Sequence, residues 1–130
     1  MMRMKIAIRS VFVGLFPLLL HLPAAAEWRE IEKFEDGIRI YADPAQARRE
    51  GDIAWLAHLV RWAEPQEDPG QPTYRSTLVR THYDCVNKRE KYLSSLSFSG
   101  PMGDGFRVGA DGREAERWEP VSEGAMEEKL

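Results

Sequence analysis

His82 and Asp84 stand two residues apart in the run THYDC. On an extended strand that spacing puts both on one face, where an imidazole and a carboxylate can form an acid/base pair or two metal ligands. Two ligands do not make a zinc site, which takes three or four. His58, the only other histidine after residue 26, falls on a different strand. The pair therefore reads as an ordinary surface or cross-strand hydrogen bond. Cys85, the single cysteine, needs a lowered pKa and an oriented base to act as a nucleophile. His82, on the opposite strand face, is poorly placed to be that base. The run GPMGDG, Gly100 to Gly105, has the glycine content of a phosphate loop. It lacks the P-loop lysine, the dinucleotide spacing and a helix opening behind it. Gly100, Gly103 and Gly105 read instead as turn or bulge positions. Trp28, Trp55, Trp62 and Trp118 are numerous for so short a chain. Core packing accounts for most of them. The functional alternative is a carbohydrate-stacking platform, but nothing in the sequence aligns them on one exposed face. No catalytic, cofactor-binding or metal-ligating residue is expected.

The elements that must position these residues are mainly strands. Tyr74 to Asp84 is rich in Thr, Tyr, Val and Leu, which suit a pleated, half-buried surface. Arg89 to Ser99 carries Tyr92, Leu96 and Phe98 at even spacing, which predicts one shared face. Val86-Asn87-Lys88 closes the two into a hairpin, with Asn able to take a left-handed conformation. Upstream, Trp28 to Phe34 alternates loosely, and Glu35-Asp36-Gly37 is a turn in which Gly37 takes positive φ without steric cost. Ile38, Ile40 and Ala42 then alternate as a second strand. Asp43 and Pro44 begin a short helix of a turn or two before Gly51, with Asp43 as its cap. Asp52 to Trp62 is apolar on both faces and reads as a central strand. Residues 63–72 form a polar loop with three prolines. Phe106 to Val108 is a short strand, Gly109 to Gly112 a turn, and Ser122 to Leu130 a helical segment. The fold class is α+β, mainly β. An antiparallel sheet of about five or six strands is expected, with a short helix after the second strand and a C-terminal helical segment.

Residues 1–26 read as a signal peptide. Arg3, Lys5 and Arg9 precede an apolar stretch from Val11 to Leu22, and Ala24-Ala25-Ala26 offers a cleavage site. The stretch is well short of the ~20 residues that span a bilayer, so no membrane insertion is expected after cleavage. The full chain has 18 Lys+Arg against 21 Asp+Glu; without Arg3, Lys5 and Arg9 the balance is 15 against 21, a net of −6. That acidity excludes a nucleic-acid footprint. The small basic clusters Arg48-Arg49 and Lys88-Arg89-Lys91 read as solvated surface. Residues 27–130 amount to one domain, with no internal repeat. In an oxidising compartment Cys85 reads as half of a disulfide whose partner is absent from this sequence. A free thiol or a Cys85–Cys85 homodimer follows from that.

Several short motifs in order carry a resemblance. They are Trp28, Gly37 followed by Tyr41-Ala42-Asp43-Pro44, Gly51 leading to Trp55, and Tyr74-Arg75-Ser76. Tyr83-Asp84-Cys85 with Arg89, the run Ser99 to Gly105 and Trp118-Glu119-Pro120-Val121 complete the series. The chain resembles the surface-adhesin protein E-like family of small exported Gram-negative proteins over nearly all of residues 27–130. The resemblance implies an antiparallel sheet with helical additions, no enzymatic activity and no cofactor. The family takes its name from an adhesin of host matrix and plasma proteins, which implies a protein partner. Members usually carry a second cysteine near the C-terminus, so the chain reads as truncated there. Lacking a lipid-attachment cysteine, it is expected in the periplasm, or else secreted or at the cell surface. The competing reading is a small periplasmic enzyme or enzyme inhibitor. Its catalytic form requires His82, Asp84 or Cys85 to converge with other polar groups in a pocket.

Overall fold

The computed structural model describes residues 27–122. The expected signal peptide, and all but Ser122 of the helical segment expected at the C-terminus, lie outside the described residues. Eight strands form one antiparallel sheet: β1 (Arg29–Lys33), β2 (Arg39–Ala42), β3 (Arg48–Glu50), β4 (Ile53–Gln66), β5 (Tyr74–Asp84), β6 (Arg89–Phe98), β7 (Arg107–Asp111) and β8 (Glu119–Pro120). The path across the sheet is β1-β2-β4-β5-β6-β7, with β3 also beside β4 and β8 also beside β6. The expected count of five or six strands is thus corrected to eight. The difference arises because two positions in the sheet are strands broken in the middle. β2 and β3 run along the same side of β4, against His58–Arg61 and Ile53–Trp55, and Asp43 to Ala47 bows out between them. Pro44 has no N–H to offer the ladder, which favours the break at that point. β7 and β8 share β6 in the same way, and a single backbone bond from Ala115 N to Tyr92 O spans part of the gap.

The predicted helix after β2 shrinks to one 3-10 turn, Pro44–Gln46. Asp43 caps it, Oδ1 accepting from Ala45 N at 3.0 Å. It goes no further because Arg48–Glu50 pair with β4 instead, and Gly51, at φ +60°, takes the first place in a two-residue hairpin turn. Two predicted loops are also shorter than expected. β4 continues to Gln66 through a bulge, and β7 runs through Gly109 to Asp111. In the β5–β6 turn the positive φ belongs to Lys88 (52°) rather than Asn87.

Directly paired residues share a face, so the register sorts the side chains. One side of the sheet, here the front, carries Trp55, Ala57, Leu59 and Arg61 of β4 with His82, Arg80, Leu78 and Ser76 of β5. The back carries Ala54, Leu56 and His58 with Tyr83, Thr81 and Val79. Tyr92 does not share the face of Leu96 and Phe98 as its spacing predicts. Arg80 pairs with Ser94 but Thr81 with Tyr92, so Leu93 is an extra residue that flips the alternation. Tyr92 therefore points to the back, where its hydroxyl donates to Ser95 Oγ at 2.9 Å.

Each face has its own apolar cluster. On the back, Ala54, Leu56 and Tyr83 are buried, with Cys85 and Val121 packed against them. On the front, Leu59 and Ser76 are fully buried beneath the loop that follows β6. Ser76 Oγ donates to Gly100 O at 2.6 Å and accepts from Gly103 N at 2.8 Å, which ties the loop to the sheet. Gly103 (φ +70°) lies over Leu59, where an added Cβ would stand 3.4 Å from Leu59 Cδ1. At Gly105 (φ +76°) a Cβ would meet Ser99 Oγ, and at Gly100 it would meet Asp104. Gly37 closes the β1–β2 turn at φ +92°.

Candidate functional site

Register creates a row across the front face that no local pattern announces. Arg48 of β3 pairs with Trp55 of β4, Trp55 with His82 of β5, and His82 with Lys91 of β6. Side chains in adjacent strands sit about 5 Å apart at such positions, so the four form a continuous strip. Trp118, just ahead of β8, joins it. The Arg48 guanidinium lies 4.7 Å over the Trp55 ring. The His82 ring meets Trp55 edge-on, with centroids 3.9 Å apart and planes at 77°. Trp118 stacks near His82 at 6.5 Å and 23°, and the Arg89 guanidinium lies 5.0 Å over Trp118. The strip is thus two indoles and an imidazole, closed at both ends by a stacked arginine. Trp55 remains 37% exposed.

Carboxylates anchor the cations. Glu50 meets Arg48 Nε at 3.4 Å, Asp84 meets Arg89 Nε at 3.1 Å, and Glu114 meets Lys91 Nζ at 3.1 Å. A guanidinium has five N–H donors, so each arginine keeps donors for a partner after this contact. Beside the strip lies a shallow groove of about 510 Å³. Trp55, Arg48 and the turn Ala45–Ala47 bound it, with Ala57, Ser94, Leu93 and Arg80 among its lining.

The residues singled out for chemistry do not converge. Burial lowers the His82 pKa from 6.5, Lys91 and Arg48 adding to the shift and Glu114 opposing it. The ring is neutral at pH 7, and its Nε2 is buried without a hydrogen-bond partner. Asp84 shares its face as predicted, yet it is a buried turn anchor rather than a surface residue. Its carboxylate accepts from Val86 N, Asn87 N, Asn87 Nδ2 and Arg89 Nε at 2.9–3.1 Å. The Asn87 bonds, backbone and side chain, lead in holding its pKa down to about 2. A carboxylate so occupied is not a general base. Cys85 sits half-buried against the back cluster, its N–H donating to Asp52 O at 2.9 Å. Among the described residues no three His, Cys, Asp or Glu side chains are placed to hold a metal ion. Of the four tryptophans, Trp55 and Trp118 share the front strip. Trp62 belongs to the back, where Nε1 donates to Thr77 Oγ1 at 2.9 Å. Trp28 lies near Gly103.

Arg48 and Arg89 are the members of the strip that composition hides, since both lie in basic clusters that look like solvated surface. The sequence signal that locates Arg48 is Gly51-Asp52. Taken as a two-residue hairpin turn, it pairs Glu50 with Ile53 and hence Arg48 with Trp55.

A family model described as Surface-adhesin protein E matches residues 28–130. No curated protein matches the chain significantly. Among solved structures, protein E from non-typeable Haemophilus influenzae superposes with a TM-score of 0.60 at 12% identity, over 82% of this chain and 75% of that one. Crystal form II of H. influenzae protein E gives 0.59 at 14% identity, over 78% and 84%. Its selenomethionine form gives 0.59 at 13% identity, over 81% and 85%. At these identities the likeness is one of fold.

Proposed function

The chain belongs to the surface-adhesin protein E family, and from that premise we propose that it is an exported, non-enzymatic module that holds a protein partner on the aromatic–arginine strip of its front face. The observation behind this reading is the strip itself, with its two indoles and two stacked guanidiniums beside an open groove. Trp and Arg are enriched among the few residues that carry most of the binding energy in protein interfaces. An arginine already stacked and held at Nε loses little further freedom on binding. The groove offers a recess for a side chain of the partner.

The same geometry argues against the enzyme reading. The Asp84 oxygens are taken by the turn, the His82 ring is enclosed by indoles, and Cys85 packs on the opposite side of the sheet. The signal-like pattern of residues 1–26 supports export to the periplasm or the cell surface, with Glu27 as the first residue of the mature chain. Intact mass of the exported protein checks that step.

The test of the binding site uses purified residues 27–130 on a sensor surface, with extracellular-matrix and bacterial envelope proteins passed over it. A partner that binds wild type should lose at least tenfold in affinity with Trp55→Ala and with Arg89→Ala, while circular dichroism stays native. A partner held equally well by the Trp55→Ala/Trp118→Ala double variant would place recognition elsewhere.

A further inference from the structure

At the other end of the front face the register lines up like charges. Lys33 of β1 pairs with Arg39 of β2, and Arg39 pairs with Arg61 of β4. Directly opposed like charges on neighbouring strands destabilise a sheet. Glu30 meets Arg39 at 3.4 Å. Arg61 and Arg75 form no ion pair with a carboxylate among the described residues. Between Arg61 and Gln66 the β4–β5 ladder is interrupted, and the bulge leaves a pocket of about 240 Å³. Arg39, Arg61 and Arg75 all line it, with Glu64 as the one acidic group, Trp62 at its wall and Pro101 of the glycine loop at its rim.

The geometry points to a binding site for a tetrahedral oxyanion ester, a phosphate or sulfate group, held by Arg39, Arg61 and Arg75. A carboxylate has two oxygens in one plane, and one bidentate guanidinium can engage both at once. Three arginines line the pocket, Arg39 and Arg61 from the front face and Arg75 from β5 opposite the bulge, and their donors together can serve the three outer oxygens of a phosphate or sulfate ester. A phosphate monoester brings a charge of about −1.5 to −2 near pH 7, which offsets the opposition between Arg39 and Arg61. The pocket leaves room for the first atoms of the molecule bearing the ester. This site is separate from the aromatic strip and does not depend on the partner proposed for it.

Calorimetric titration and thermal melting of residues 27–130 test the inference, with inorganic phosphate, sulfate, glucose 6-phosphate and acetate at matched ionic strength. Phosphate and glucose 6-phosphate, or sulfate, should bind saturably and raise Tm, since a ligand that binds only the native state stabilises it. Acetate should do neither. The response to phosphate against sulfate identifies which ester the site takes. Arg61→Gln and Arg75→Gln should each weaken binding at least tenfold, and Arg113→Gln, almost fully exposed and outside the pocket, should not change it. Unliganded Arg61→Gln should melt no lower than wild type, because it removes a like-charge opposition. If it does not fold, Arg75→Gln, exposed at the start of β5, carries the same test. Absence of saturable binding, equal binding of acetate, or full binding by Arg75→Gln would overturn the assignment.

Discussion

His82 and Asp84 share a strand face but titrate for opposite reasons. Burial beside two indoles disfavours the charged imidazole, and Nε2 is buried without a hydrogen-bond partner. The unfolded chain therefore binds a proton more readily than the native one once pH falls below the ordinary value of 6.5. Stability should be fully present above that pH and decline as the pH drops from 7 toward 5. Denaturant titrations at pH 7, 6 and 5 check the decline, and His82→Asn should flatten it. Asp84 adds a second, lower step. Its native pKa of about 2 lies below the ordinary 3.8, so its contribution holds above pH 4 and is lost between about 4 and 2. Asp84→Ala removes the acceptor of two backbone N–H groups at the β5–β6 turn. Its Tm should fall by about 5 °C or more at pH 7, with no such difference from wild type at pH 2. An equal Tm at pH 7 would mean that the turn holds without its anchor.

Long strands were legible because alternation over ten residues outweighs noise. β5 begins and ends where composition placed it, and β6 differs by one residue. Short strands were not: β3 has three residues and β8 two, too few for any periodicity to register. Nor was the extra residue at Leu93, whose effect is to send Tyr92 to the other face. Such a bulge depends on the pairing partner, which a single strand's pattern does not contain. Composition marks the glycine loop as a turn, and Ser76 ties that loop to the sheet at Gly100 and Gly103. Gly103 combines positive φ with contact on the fully buried Leu59. Gly103→Val places a β-branched residue at a positive φ that L side chains rarely adopt, and should destabilise by about 1–3 kcal/mol. Chemical denaturation measures the loss. Ser76→Ala, which leaves the loop backbone at Gly100 and Gly103 without its bridging hydroxyl, should weaken the same element by about 1–3 kcal/mol.

At the scale of the molecule the question is where a partner can dock. One edge of the sheet is divided between β1, whose sequence REIEK is charged at four of five positions and whose pairing is bulged between Glu30 and Glu32, and the three-residue β3, which is charged throughout. The other edge is divided between β7 and the two-residue β8. Charge, bulging and brevity are the features that discourage strand addition at an edge, so docking falls to a face. The front face is also distinct in charge. Lys33, Arg39, Arg48, Arg61, Arg80 and Lys91 all project there by register, against Glu30, Glu50 and Asp84. The chain without its first 26 residues is nevertheless net acidic, at −6. The acidity visible in composition thus conceals a cationic surface, because only pairing decides which side each charge takes. A partner seated on the front strip should present carboxylates to it, and its association should be steered by that field. Raising NaCl from 50 to 500 mM shortens the screening length from roughly 14 to 4 Å. The association rate should then fall by about tenfold or more, with a smaller change in dissociation. A rate that is flat or rises with salt would indicate an apolar contact, which the back cluster around Leu56 and Tyr83 is better suited to make.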